Sequence, residues 1–154
     1  MGWSAVRPSA YGWLVSHIRP IAVAVPRRGD DLLVCEYHDP TRDLTFYRPL
    51  GGGIEFGETA AMALRRELRE ELGTELHDVT HIGVLESLFH GFGRDGHEIV
   101  FVFGARLADP SLYERDVVGK VLDEPTTTVM WRPLHGFTAA SPLYPDGLVD
   151  LIAG

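Results

Sequence analysis

The chain has 154 residues, 45% of them apolar and 23% charged, a balance that suits one domain with one core and no disulfides or structural metal. Its 14 Lys and Arg against 22 Asp and Glu give a formal charge of −8, which excludes non-specific binding to duplex nucleic acid, because that needs basic side chains over phosphates. No apolar run approaches the ~20 residues of a membrane span, and no basic segment followed by an apolar run opens the chain, so the expected location is cytoplasmic.

In chain order, residues 1–18 carry Trp3, Tyr11 and Trp13 among small residues and read as an N-terminal arm, with a single domain over residues 19–154. Residues 21–25 and 32–37 read as strands, and Pro26-Arg27-Arg28-Gly29-Asp30 between them predicts a hairpin. The only cysteine, Cys35, sits in the second of these apolar runs and is expected to be a buried thiol. A short strand at 44–47 ends at Pro49, and Gly51-Gly52-Gly53 then reads as a turn. Residues 59–72 are rich in Ala, Leu, Glu and Arg without Gly or Pro, which predicts a helix capped by Thr59 and stopped by Gly73. Strands at 81–88, 98–107 and 129–131 follow, then a short helix at 146–152. Strands mixed with fewer helices indicate α+β or mixed α/β architecture.

On a wheel of 100° per residue, Ala61, Leu64, Leu68 and Leu72 form one apolar stripe, and Arg65, Arg66 and Arg69 fall toward water. Glu67, Glu70 and Glu71 point one way at the border of the stripe. Like charges at i, i+4 repel, and partial burial makes that worse. A divalent cation would remove the conflict, since magnesium prefers hard oxygen ligands. The wheel alone also fits a solvated helix of Arg–Glu pairs such as Arg66–Glu70. The glycines just before the helix favour the first reading, because they let backbone approach a phosphate or a metal closely.

These residues resemble the Nudix box. Gly52 opens the pattern, Glu58 follows at the right spacing, then Arg66-Glu67-Leu68, Glu70-Glu71 and Gly73; eight of nine specified positions match, and Thr74 stands where an aliphatic is usual. At roughly 7% usage per residue type, a chance match is on the order of one in a million. The resemblance covers residues 52–74. Outside it, Arg48-Pro49-Leu50, residues 97–103 and Trp131-Arg132-Pro133-Leu134 are similar in style. It implies an α/β fold, an α/β/α sandwich around a mixed sheet. It also implies a hydrolase that cuts the diphosphate linkage of a nucleoside diphosphate derivative. Glu67, Glu70 and Glu71, with the carbonyl of Gly52, would bind Mg²⁺, with Mn²⁺ as a substitute. Arg66 would orient the acidic side chains, and Glu58 would act indirectly.

The water-activating base is open between the box and another segment. Glu98, which starts the apolar run 99–103, is the leading candidate outside the box, ahead of Glu86 and Glu124. Phe89, Phe92 and Trp131 are candidates to stack on a base, and Arg19, Arg48 and Arg94 to meet phosphate. His77 and His81 lie in a segment that does not look helical, and no zinc spacing or nucleophile motif occurs. The secondary markers of ADP-ribose, diadenosine polyphosphate, NADH and coenzyme A hydrolases are absent, so the substrate is a small-molecule diphosphate of unassigned kind. Duplex nucleic acid and membrane are not expected partners, and a homodimer is left open. The competing readings are a nucleotide-binding sensor without turnover and a prenyl-diphosphate isomerase on the same scaffold.

Overall fold

The computed structural model describes residues 16–154. Most of the expected arm, with Trp3, Tyr11 and Trp13, lies outside the described residues. Nine strands and two α-helices follow. They are β1 (Arg19–Ala24), β2 (Arg27–Arg28), β3 (Asp31–Asp39), β4 (Leu44–Arg48), β5 (Leu50–Gly53), α1 (Ala60–Leu72), β6 (Leu76–Gly91), β7 (Arg94–Leu107), β8 (Val117–Lys120), β9 (Thr128–Pro133) and α2 (Leu148–Ala153).

One sheet runs β5-β1-β7-β6, with β1 parallel to β7 and its other pairs antiparallel. The second is antiparallel in the order β2-β3-β9-β8, with β4 on β3. Alternation along β1 divides the core. Ala22 and Ala24 join Leu64 and Leu68 of α1 in one cluster, while Ile21 and Val23 join Val100, Val102 and Leu148 of α2 in another. The two helices therefore cover opposite faces of a mixed sheet, the α/β layering expected.

The helix prediction holds at both ends. The Thr59 hydroxyl accepts from the Met62 amide at 3.1 Å, and Gly73 closes α1 in the left-handed conformation at φ 65°. Thr74 is buried, and its hydroxyl accepts from the Asp109 amide at 3.3 Å. The position thus anchors a loop that an aliphatic could not.

Three expectations are corrected, and one aromatic candidate takes the core packing that is the commoner fate of such a ring. The predicted hairpin between the first two long strands does not form. Both edges of β1 are taken by β5 and β7, so the chain leaves the sheet at Pro26, and the tight hairpin is β2–β3 around Gly29 at φ 59°. The glycine run is a strand, with Gly51, Gly52 and Gly53 opposite Val23, Ala22 and Ile21. Arg65 and Arg66 do not extend into water. Arg65 donates to the Leu76 carbonyl at 2.8 Å, and Arg66 is absorbed by the acidic network described below. Trp131 is core, not a stacking platform: it is buried, stacks on Tyr113 at 5.1 Å and donates its indole N–H to the Leu112 carbonyl. Cys35 is buried as expected, and burial pushes its thiol pKa up. Among the described residues, no helix is long and apolar enough to cross a membrane.

Candidate active site

Strand β5 is flanked by β1 on one side and packs under α1, and its glycines are what permits that fit. Gly51 has φ 145°, and a Cβ there would fall 2.0 Å from the Ala22 carbonyl oxygen. A Cβ on Gly52 would fall 2.4 Å from the Glu67 carboxyl carbon. The missing side chain is the space that Glu67 occupies. One turn on, Glu71 accepts the Gly51 amide at 3.2 Å.

Arg66 ties the acidic residues together. Its Nε and Nη2 grip Glu58 at 2.9 and 2.8 Å, its Nη1 donates to Glu67 at 2.9 Å and to Glu70 at 3.4 Å, and Nη2 also reaches the Gly53 carbonyl at 3.0 Å. The paired guanidinium holds the Glu58 carboxyl down at about 2. Glu58 also accepts the Glu55 amide, which folds the 54–58 loop against the helix.

The three box glutamates share one side of α1 without forming a closed cage. Glu67 turns to Arg66 and Gly52, Glu71 to Gly51, and Glu70 is half exposed. Among the described residues no group of three or more His, Cys, Asp or Glu is gathered tightly enough to hold a metal. Repulsion among carboxylates accounts for this, since each side chain takes a nearby hydrogen-bond donor instead. The donor set nonetheless fits magnesium: hard oxygens from Glu67, Glu70 and Glu71 beside a strand stripped of side chains.

Burial is the main cause that pushes the Glu71 carboxyl up, to about 8, followed by the charge of Glu67; the Gly51 hydrogen bond opposes it, and Asp123 and Glu124 add repulsion. Glu67 is raised as well, chiefly by burial. A consequence follows for stability. Between the ordinary carboxyl range near 4.5 and about 8, folded Glu71 keeps a proton that the unfolded chain has lost. Stability of the metal-free protein is therefore expected to fall as pH rises across that window. Melting scans in chelator from pH 5 to pH 8 check this, and Glu71→Gln should flatten the dependence.

The second half of the site lies where β1, β4 and β7 meet. Glu98 is buried, accepts Arg48 Nη2 at 2.6 Å and stands 3.7 Å from Arg19 Nη1. As the leading base candidate it would have to reach the edge of α1, but it faces away from that helix. Alternation puts it on the face shared by Val100 and Ile21, which α1 leaves to other elements. Arg48 lies over the Phe89 ring, 5.9 Å from its centroid. Arg19, Arg48, Phe89 and Glu98 line one cleft of about 420 Å³, together with Phe92 and Arg94. Arg19 links the cleft to the box, since its guanidinium lies against Gly53, where a Cβ would fall 3.3 Å from its Nη2.

The other two base candidates do not line this cleft. Glu86 is exposed on β6 and pairs with His97 at 3.4 Å. Glu124 sits with Asp123 in the β8–β9 loop, held to the end of α1 by the Leu122 amide on the Glu71 carbonyl at 2.9 Å. Sequence reading passed over Asp123, and only an acidic pair in a loop marked it. It also passed over Arg42, Phe46 and Tyr144, which line the cleft from the loop before β4, from β4 itself and from a C-terminal loop.

A mixed sheet between helices, with an acidic helix laid on a glycine strand, defines the class of α/β protein to which the comparisons also point. A family model described as NUDIX domain matches residues 17–144, and the chain belongs to that family. It is 30% identical over 129 residues to the NAD-capped RNA hydrolase NudC of Mycobacterium tuberculosis, covering 79% of this chain and 41% of that protein. The chain thus spans about two-fifths of the length of the curated relatives it matches. Among solved structures, the MutT NUDIX hydrolase from Burkholderia pseudomallei aligns over 89% of this chain and 98% of its own, with a TM-score of 0.63 and 22% identity. A NUDIX hydrolase from Nitrosomonas europaea aligns over 77% and 74%, with a TM-score of 0.51 and 21% identity. At these identities the structures speak to fold alone.

Proposed function

We propose that this chain is a magnesium-dependent pyrophosphohydrolase that cuts the diphosphate linkage of a nucleoside diphosphate derivative. The observation that carries the reading is the seating of Glu67 and Glu71 on Gly51 and Gly52, next to a cleft whose charged lining includes Arg19 and Arg48. Glu67, Glu70 and Glu71, with the Gly52 carbonyl, would hold the metal. When bound, Mg²⁺ or Mn²⁺ neutralises phosphate oxygens and lowers the pKa of water.

The chain's own residues supply the rest. Arg66 fixes the glutamates and the 54–58 loop in one geometry, so no carboxylate must be reoriented during the reaction. Arg48 and Arg19 receive the anionic half of the substrate, and Phe89 carries Arg48 on its ring. Water attacks one phosphorus, the bond from that phosphorus to the bridging oxygen breaks, and the departing phosphate keeps that oxygen. A box glutamate takes the water proton. Glu98 is already engaged by two guanidinium groups, which suits an anchor for the arginines better than a base. Glu98→Gln is accordingly expected to raise KM more than it lowers kcat, and a large kcat loss at unchanged KM would restore Glu98 as the base.

The test is incubation of the purified protein with Mg²⁺ and a panel of nucleotide sugars, ADP-ribose, NADH, diadenosine polyphosphates and nucleoside triphosphates, with products resolved by mass. Release of a nucleoside monophosphate and a phosphorylated second half is expected. Binding without cleavage of any member would favour a sensor instead. NADH belongs in the panel as a small-molecule probe of the NAD-type group named for the Mycobacterium tuberculosis relative, an NAD-capped RNA hydrolase, although the Pro-rich marker of NADH hydrolases is absent from this chain. A cytoplasmic location accords with such a substrate.

A further inference from the structure

Asp39, at the end of β3, is a buried carboxylate outside the box. It is fully buried and takes four donors: the Thr41 amide at 2.9 Å and hydroxyl at 2.6 Å, Arg42 Nε at 3.0 Å, and the Phe92 amide at 2.9 Å. The Thr41 hydroxyl, then the Phe92 amide, hold its carboxyl well below the usual carboxylate range. Phe92 lies 53 residues away, at the tip of the β6–β7 hairpin, with φ 53°. That is an unfavourable conformation for a side chain of this size. A charge-assisted bond to its amide offsets the strain.

What the bond positions is an aromatic wall. Phe92 is half exposed and packs edge-on against Phe46 at 5.8 Å, and Phe46 in turn against Tyr144 at 5.6 Å. All three rings line the 420 Å³ cleft, as do Arg42 and Arg48. The cleft is therefore lined by both aromatic rings and guanidinium groups. That combination suits a ligand with a planar ring joined to phosphate.

We infer that Phe92 and Tyr144, backed by the buried Phe46, form a subsite for the nucleobase of the substrate, and that Asp39 is a positioning residue that sets the subsite by holding the hairpin tip. This rests on the proposed function, in which Arg48 and Arg19 of the same cleft receive the anionic half of the substrate. The residues lie outside the box, and Asp39 itself is not among those that line the cleft.

The test measures binding alone. ADP, GDP, CDP, UDP and inorganic pyrophosphate are titrated calorimetrically into the intact protein in Ca²⁺. At least one nucleotide is expected to bind roughly tenfold or more tighter than pyrophosphate, as base stacking on aromatic rings allows. Phe92→Ala and Asp39→Asn should each weaken that nucleotide by roughly tenfold while pyrophosphate affinity stays constant, and Phe92→Trp should retain nucleotide binding. Pyrophosphate binding as tight as every nucleotide, or unchanged nucleotide affinity in Phe92→Ala, would overturn the subsite. If Asp39→Asn does not fold, Thr41→Val, which removes one donor to Asp39, carries the positioning claim: nucleotide affinity should fall with pyrophosphate unaffected, and no change or equal loss of both ligands refutes it. Hydrolysis is not read here. A chain that shows the base preference but cleaves no member of the substrate panel refutes the proposed reaction and keeps the subsite, and cleavage without base preference does the reverse.

Discussion

Glu71→Gln is expected to lower kcat by at least ~10²-fold at saturating Mg²⁺, and Glu70→Gln to do the same, because each removes an anionic oxygen from the metal-binding or proton-accepting set. The amide is nearly isosteric with the carboxylate, and its oxygen can still accept the Gly51 N–H that Glu71 accepts at 3.2 Å. The fold should therefore survive. Metal-free Glu71→Gln should be at least as stable as the parent at neutral pH, because the half-buried carboxyl that burial pushes up to about 8 has been replaced by a neutral group. Loss of turnover with retained or raised Tm is the signature of a group kept for chemistry at a cost to stability. The check is steady-state kinetics on the best-cleaved panel member alongside melting scans. Near-normal turnover in both variants would remove the box from the reaction.

The two central glycines should separate fold from chemistry. Gly51→Ala places a Cβ 2.0 Å from the Ala22 carbonyl oxygen, at φ 145°. The obstructing atom is backbone in a central strand, so nothing nearby can yield cheaply. A loss of more than ~4 kcal/mol is expected, in the range where strain at a special backbone position unfolds marginal domains. Gly52→Ala meets the end of the Glu67 side chain instead, 2.4 Å from its carboxyl carbon. That side chain can swing away, so stability should change little. Glu67 would then leave its seat, and kcat should fall by roughly tenfold or more through misplacement of one carboxylate. Denaturant melts and kinetics on the two variants decide the matter. Equal behaviour of the pair would show that β5 does not hold the glutamates as described.

The box and its helix were legible from linear spacing. Thr59 and Gly73 as caps follow from capping chemistry, and the Leu64–Leu68 stripe and the shared side of Glu67, Glu70 and Glu71 from 3.6-residue periodicity. The α/β class and most strands were legible as apolar runs between turn residues. The grouping of Arg19, Arg48, Phe89 and Glu98 was anticipated only as separate candidates; nothing in their spacing said that they share one cleft. Arg66 shows the limit of the wheel. Its angle says solvent, but Glu58, from the loop ahead of α1, and Gly53 draw it inward.

Local signals act over a few residues, so a helix, its caps and a motif within it can be read from the chain alone. Pairing is a competition between distant segments, and only the folded molecule resolves it. The strand partners of β1, the conversion of three glycines from turn to strand, and the buried bond from Asp39 to Phe92 across 53 residues were decided there. Backbone donors of a strand must be satisfied by some neighbour, and burial rewards whichever arrangement closes the core, irrespective of separation along the sequence.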